Sequence, residues 1–354
     1  MTPAESAAAL RAIDANFNRA VEGLRVVEDQ ARFVLNDAFL ARSCKQLRHD
    51  LTTALVELLG NPSEHFVARD TLADVGTAIT SPQETERISF AQLAAANWQR
   101  ASQALRVIEE FAKLLGNSGA PFESLRYQTY TLAKAFVVNE RSLETWRGRQ
   151  LYVLVDGGDR EEQFEQRVKL LLAAGVHVLQ LRDKKLDDRS LLSRARLLRK
   201  LIDETIAREE RPMFIMNDRL DLALLARADG VHVGQDELPV SEVRQLVGTA
   251  MQIGVSTHSI EQARAAVLAG ADYLGCGPTF PSGTKQFEAF PGIAFLQQVA
   301  AEISLPAFAI GGITAENLPE VIASGITRIA VSGAITTSND PAAAVQRLLA
   351  QLTA

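Results

Sequence analysis

Val176-His177-Val178-Leu179-Gln180-Leu181-Arg182-Asp183-Lys184 is a short apolar run that closes on a polar cluster. Read as a strand end, it alternates, so Gln180, Arg182 and Lys184 project to one side together. Two cations and an amide on one face suit a diphosphate, which Arg grips through two parallel N–H donors. Lys185, Asp187 and Asp188 read as solvated neighbours.

The same grammar recurs down the chain. Apolar runs are expected as strands at Leu151–Asp156, Val176–Asp183, Met213–Asp218, Gly230–Gly234, Gln252–Thr257, Tyr273–Pro278, Ala307–Gly312 and Arg328–Ser332. Helical stretches separate them, and Gly175, Gly230, Gly270 and Gly325 recur shortly before strands, as helix-ending glycines do. Eight such units indicate a compact TIM barrel, where an open flavodoxin-like sheet would use five or six. The polar clusters then gather at one mouth, because the C-terminal strand ends of such a barrel converge there.

Residues 1 to about 140 read as helix throughout. Leu10, Ile13, Phe17, Leu24, Val27, Ala31 and Val34 follow helical spacing. This half also repeats itself. Asn16-Phe17-Asn18-Arg19-Ala20 and Leu24-Arg25-Val26-Val27-Glu28 return 81 residues on as Asn97-Trp98-Gln99-Arg100-Ala101 and Leu105-Arg106-Val107-Ile108-Glu109. Leu47-Arg48 is echoed by Leu125-Arg126. Two helical hairpins packed about a pseudo-twofold axis are expected. The repeated apolar positions read as core. For Asn16, Arg19, Arg25, Glu28 and their echoes Asn97, Arg100, Arg106 and Glu109, two readings stand: ion pairing across the pseudo-axis, or the lining of an anion pocket. Between the copies runs a polar loop, Arg69 to Thr77, too specific in composition for a mere connector. The polar stretch Arg141–Gln150 reads as the link, giving an all-helical domain over 1–145 and a barrel over 146–354.

Composition narrows the function classes. The 354 residues carry a formal charge of −6 and no basic footprint, which argues against nucleic-acid binding. No apolar run approaches a membrane span, and the charged N-terminus lacks a signal-peptide core. Cys44 and Cys276 fall in different halves and suggest no disulfide framework, so a reducing cytoplasm is the expected setting. No GxxxxGK[ST] loop occurs, so nucleotide binding by that route is excluded. Homo-oligomerisation is left open.

At the mouth, Asn217 and Asp218 end the third strand, and Asp236 and Glu237 follow the fourth. Two carboxylates from adjacent strands, with no His–Cys cluster, suit a hard ion such as Mg²⁺. Ser256-Thr257-His258 offers hydroxyls, and the loop Gly277–Lys285 supplies Ser282, Thr284 and Lys285. Gly311, Gly312, Ser332 and Gly333 occupy the loops after strands seven and eight, the usual phosphate position of the fold. His232 lies between Val231 and Val233 and is expected to point inward as a neutral, hydrogen-bonded imidazole. Acid–base work by His232 or His258 is the minor reading.

QLRDK, MND, DGVHVGQDE, GVSTH, GPTFPSGTK, AIGGI and VSGAI, in this order, resemble the thiamine phosphate synthase family over residues 151 to about 350. That family joins a hydroxymethylpyrimidine diphosphate to a hydroxyethylthiazole phosphate and releases diphosphate. The resemblance implies that Gln180, Arg182, Lys184, Asn217 and Ser256 hold the pyrimidine diphosphate, with Arg182, Lys184 and Lys285 serving catalysis. It implies Asp218 and Glu237 as Mg²⁺ ligands, although the family usually has Asp at the second position, which keeps Asp236 as an alternative. Ser282, Thr284 and Lys285 would straddle the substrates; Ser282 stands where Thr is common. Gly311 or Gly312, Ser332 and Gly333 would cradle the thiazole phosphate. A thiazole tautomerase using a base such as His258, and a non-catalytic sensor, are the rivals. Residues 5 to about 140 resemble the helical module fused ahead of this synthase in cyanobacteria and related bacteria, which is linked to hydroxymethylpyrimidine phosphate kinase activity.

Overall fold

The computed structural model describes residues 1–60, 64–67, 69, 87–205, 211–281 and 290–353. The chain divides into two compact units, Met1–Glu140 and Arg141–Ala354.

The first unit is built from long helices: α1 (Pro3–Phe33), α2 (Ala38–Leu59), α3 (Phe90–Leu114) and α4 (Ala120–Thr145). Each of the first three starts where a side chain can satisfy the free N–H groups of a first turn. Thr2 and Glu5 form a reciprocal capping box on α1, Asp37 accepts from Leu40 N–H on α2, and Ser89 accepts from Gln92 N–H on α3. The helices α1 and α3 cross closely because Gly23 has no side chain. A Cβ there would lie 2.9 Å from the Asn97 carbonyl oxygen.

The repeat has a physical meaning at its polar positions. Glu28 is buried and accepts from Arg25 at 3.3 Å and from Arg48 on α2 at 3.0 Å. Glu109 is buried in the same way and accepts from Arg106 at 2.6 Å and from Arg126 on α4 at 3.1 Å. The pairs therefore form within each hairpin; the expected pairing across the pseudo-axis is not how these residues are used. Lys113 adds a third cation at Glu109, 2.7 Å away. Asn16 and Asn97 both donate to the carbonyl four residues earlier, at 2.8 Å. The buried Asp14 has no echo; it accepts two bonds of 2.7 Å from Arg69.

The second unit is a closed barrel of eight parallel strands in sequence order: β1 (Leu151–Val155), β2 (Val178–Leu181), β3 (Met213–Asn217), β4 (Gly230–Val233), β5 (Gln252–Thr257), β6 (Tyr273–Cys276), β7 (Ala307–Ile310) and β8 (Ile329–Val331). All eight expected strands are present; most stop a residue or two earlier, where the polar cluster begins. Because β2 ends at Leu181, Arg182 and Lys184 stand on the loop beyond it. Inside, Tyr152, Val178, Met213, Ile215, Tyr273, Phe308 and Ala330 fill the cylinder. Trp146, expected in a linker, is fully buried and packs on Tyr273 and Phe308, with its indole N–H on Gln252 at 3.0 Å.

At the base, acidic residues just ahead of two strands fasten the preceding ones. Asp229 accepts from Phe214 N–H of β3 at 2.8 Å and pairs with Arg199 and Arg211. Asp272, fully buried, accepts from Ile253 N–H of β5 at 2.7 Å and pairs with Arg141 and Arg244. Each carboxylate thus satisfies a strand-end donor and is neutralised by two guanidinium groups.

Burial opposes the charge on Glu109, but hydrogen bonds from Lys113, Arg106 and Arg126 outweigh it and hold its carboxyl below the usual range. Glu109→Gln should destabilise the helical unit by about 1–3 kcal/mol, the partial exposure of its cations moderating the loss. A group whose folded value is depressed stabilises above its unfolded value and loses that effect as pH falls through the folded one. The difference between wild type and Glu109→Gln in thermal melts should therefore be constant near neutrality and shrink in acid.

Candidate active site at the barrel mouth

The mouth is organised by a backbone contact. Asp218 adopts a left-handed conformation, φ 57°, one that Asp and Asn tolerate better than most residues. Its N–H donates to the His232 carbonyl at 2.9 Å, extending the β3–β4 ladder one step beyond the Asn217–His232 pair. The chain then turns sharply, and the half-buried Asp218 carboxylate is left near four other polar groups. Lys184 Nζ stands 3.9 Å from Asp218 Oδ2. Glu237 is close enough to raise the Asp218 pKa by like-charge repulsion, second to burial. Lys184, a hydrogen bond with Asn217, and Arg182 pull in the other direction and do not cancel the rise.

Glu237 reaches this position over Gly234. A Cβ at 234 would lie 2.2 Å from Glu237 Oε2, so glycine is what admits the carboxylate there. Asp236 is exposed. The loop after β2 is braced by Asp183, whose carboxylate accepts N–H bonds from Lys185, Leu186 and Gly157 at 2.7, 2.9 and 2.9 Å. The N–H of Arg182 donates to Val155 O at 2.9 Å, which places the root of its side chain beside β1.

A buried polar chain crosses the interior just below. Gln180 donates to Tyr152 Oη at 2.7 Å, Tyr152 Oη meets Tyr273 Oη at 3.1 Å, and Tyr273 Oη meets His232 Nδ1 at 3.1 Å. His232 Nε2 lies 2.9 Å from Ser256 Oγ. Burial, assisted by Arg182, pushes the His232 imidazole down to about 4, so it is neutral near pH 7, as its sequence position suggested. Tyr152 and Tyr273 carry no site signature in the sequence, since a tyrosine in an apolar run reads as core. The available signal was glycine at the register partners: Gly254 lies beside both His232 and Tyr273.

On the far side, Gly311 (φ 101°) and Gly312 (φ 65°) carry the first part of the loop after β6. Cβ atoms there would come within 2.8 Å of Pro278 Cα and 2.7 Å of the Pro281 carbonyl oxygen. Ser332 and Gly333 are exposed after β8, with Ser332 Oγ on Leu154 O at 3.2 Å and open space around Gly333. His258 Nδ1 faces the Gly277 carbonyl, so that nitrogen carries a proton and braces the loop. Ser282, Thr284, Lys285 and the polar loop from Asp70 to Thr77 lie outside the described residues.

The family model described as thiamine monophosphate synthase matches residues 151–335, and that of the ThiD2 family matches residues 11–135. The chain belongs to the thiamine-phosphate synthase family. A relative from Rhodopirellula baltica bearing that name is 45% identical, over 95% of this chain and 90% of its own length. One from Nostoc punctiforme is 41% identical, over 97% and 93%. Among solved structures, the thiamine phosphate pyrophosphorylase from Pyrococcus furiosus aligns with a TM-score of 0.51 and 29% identity, covering 61% of this chain and 98% of that one. The family resemblance thus spans both halves in the bacterial relatives.

Among the described residues, no three His, Cys, Asp or Glu side chains cluster as a self-sufficient metal site. Asp218 and Glu237 are instead a repelling pair of hard oxygen donors. That suits a divalent ion whose remaining ligands come from water and substrate phosphate. Gly234→Ala should leave the barrel folded, since only the end of a flexible side chain must move. With Glu237 displaced, the Asp218 pKa should fall toward the usual carboxylate range in an NMR titration; an unmoved value would show that the two carboxylates are not coupled.

Proposed function

We propose that the barrel condenses 4-amino-2-methyl-5-hydroxymethylpyrimidine diphosphate with hydroxyethylthiazole phosphate, giving thiamine phosphate and diphosphate. The observation that carries the reading is the meeting of Asp218 with Glu237, Lys184 and Arg182 at the ends of β2 to β4. Family membership supports the substrate pair. We read its setting as the cytoplasm, in keeping with Cys44 and Cys276 as separate buried thiols.

The reaction breaks the bond between the pyrimidine methylene carbon and the diphosphate oxygen, and the bonding pair leaves with diphosphate. The thiazole nitrogen lone pair then forms the new C–N bond. Arg182 and Lys184 stabilise the charge that grows on the departing group, with Lys285 joining them; such interactions strengthen toward the transition state and so raise the rate. Mg²⁺ held by Asp218 and Glu237 supplies further neutralisation of the diphosphate when bound. Gln180, Asn217 and Ser256 hold the pyrimidine diphosphate, and Ser282 and Thr284 bridge the substrates. Gly311, Ser332 and Gly333 hold the thiazole phosphate, and in doing so fix the nucleophile near the carbon. No protein base is needed, which agrees with a neutral His232 and a loop-bracing His258. A tautomerase or a sensor would leave the cations and the carboxylate pair without a role.

We read the helical unit as an assembly module or a kinase for pyrimidine phosphate. The pairing of buried Glu28 and Glu109 with arginines of their own hairpins favours the structural role.

Full-length protein supplied with both substrates and Mg²⁺ should form thiamine phosphate and diphosphate in equal amounts. Asp218→Ala should cut turnover by roughly a hundredfold or more while the circular dichroism spectrum is kept. Near-normal turnover of that variant at limiting Mg²⁺ would sink the assignment. Burial and Glu237 raise the folded Asp218 pKa, so its charge destabilises the metal-free fold as pH rises through that value. Mg²⁺ should consequently raise the melting temperature more at pH 7.5 than at pH 5, and should do so less in Glu237→Gln.

A further inference from the structure

The interior hydrogen-bond chain has a direction. A tyrosine hydroxyl carries one proton, and so does a neutral imidazole, so each can donate only once. Gln180 Nε2 donates to Tyr152 Oη; that oxygen could accept a second bond, but within this chain only donation to Tyr273 gives the buried Tyr152 proton an acceptor. Tyr273 must then donate to His232 Nδ1, which leaves the imidazole proton on Nε2. That N–H points at Ser256 Oγ, 2.9 Å away, and occupies an acceptor site of the hydroxyl. The Ser256 proton is thereby free to point elsewhere. Ser256 is partly exposed at the end of β5, and its backbone carbonyl is tied down by Gln235 at 2.6 Å.

The interior makes room for this path. A Cβ at Gly254 would lie 2.0 Å from Tyr273 Cζ, and one at Gly275 would lie 3.1 Å from His232 Cε1. Glycine at these two positions on β5 and β6 vacates the space that the two rings fill. Their centroids stand 5.5 Å apart, so the ring-to-ring geometry is fixed by packing as well as by hydrogen bonding.

We propose that Tyr152, Tyr273 and His232 are positioning residues: anchored at the far end by Gln180 Nε2, they hold His232 as its Nε2–H tautomer and so turn the Ser256 hydroxyl proton outward, toward a lone-pair nitrogen of the substrate's heteroaromatic ring. This rests on the synthase reading for the identity of the ring. The device itself depends only on the chain of hydrogen bonds. It selects for an acceptor atom at the point Ser256 faces. The opposite polarity would present only oxygen lone pairs and select for an N–H.

Long-range ¹H–¹⁵N spectra of full-length protein labelled in histidine, with His232 assigned by His232→Asn, read the tautomer directly. The expected result is a protonated Nε2 and a bare Nδ1; a protonated Nδ1 overturns the proposal whatever the enzyme makes. In the condensation assay, Tyr273→Phe should raise KM for the pyrimidine diphosphate about tenfold and leave KM for the thiazole phosphate within about twofold. In a Ser256→Ala background the same substitution should change that KM by less than about twofold, because the group being aimed is gone. An equal penalty in both backgrounds would reduce Tyr273 to a packing residue and refute the aiming. Tyr152→Phe serves in its place if Tyr273→Phe does not fold. Failure of the synthase reading would appear separately, as no condensation by wild-type protein with the tautomer still as stated.

Discussion

The bond from the Asp218 amide to the His232 carbonyl is the constraint on which the site depends. It carries the β3–β4 pairing one residue past the end of the strand, and it does so only with Asp218 in a left-handed turn. From that turn the carboxylate meets Lys184 from the loop beyond β2 and Glu237 from beyond β4. The same peptide belongs to His232, whose ring runs the other way into the interior. One backbone contact therefore sets the height of the charged layer at the mouth and of the neutral polar layer beneath it. The separation is electrostatically sensible: the lower layer is buried and uncharged, while the charges stay where water or a ligand can reach them.

Buried charge is handled in two ways. In the helical unit each buried glutamate is surrounded by cations from its own hairpin, so little of its field is left over. At the barrel base Asp229 and Asp272 are treated alike. At the mouth the arrangement is left incomplete, with a carboxylate pair whose repulsion persists and cations that only partly offset it. The proposed diphosphate and its metal would complete that balance.

Much of this was legible in the sequence because burial and polarity alternate sharply there. Eight apolar runs ending in polar clusters were enough for the barrel; the clusters held Gln180, Arg182, Lys184, Asn217, Asp218, Asp236, Glu237 and Ser256, whose separate roles came from the family resemblance. Strand ends were less legible, since the last apolar residue and the last paired residue differ by the geometry of the turn. Tyr152 and Tyr273 escaped because a hydroxyl buried against another hydroxyl leaves no trace in a hydrophobicity pattern. Trp146 was assigned to a linker because its neighbours are polar, whereas its ring closes the bottom of the cylinder. The direction of pairing at Glu28 and Glu109 also could not be read from spacing: Arg48 and Arg126 approach from the next helix, and only packing brings them there.

The fastening at the base has a consequence for how such a cylinder can change. Asp229 and Asp272 pin the starts of β3 and β5 to the loops that open β4 and β6, far along the strands from the reactive rim. Alignment of the staves is thus decided at the end that does no chemistry. Loops at the other end can lengthen, shorten or exchange their residues without renegotiating that alignment. A lineage can in this way re-equip the opening for a new pair of reactants while inheriting an undisturbed floor.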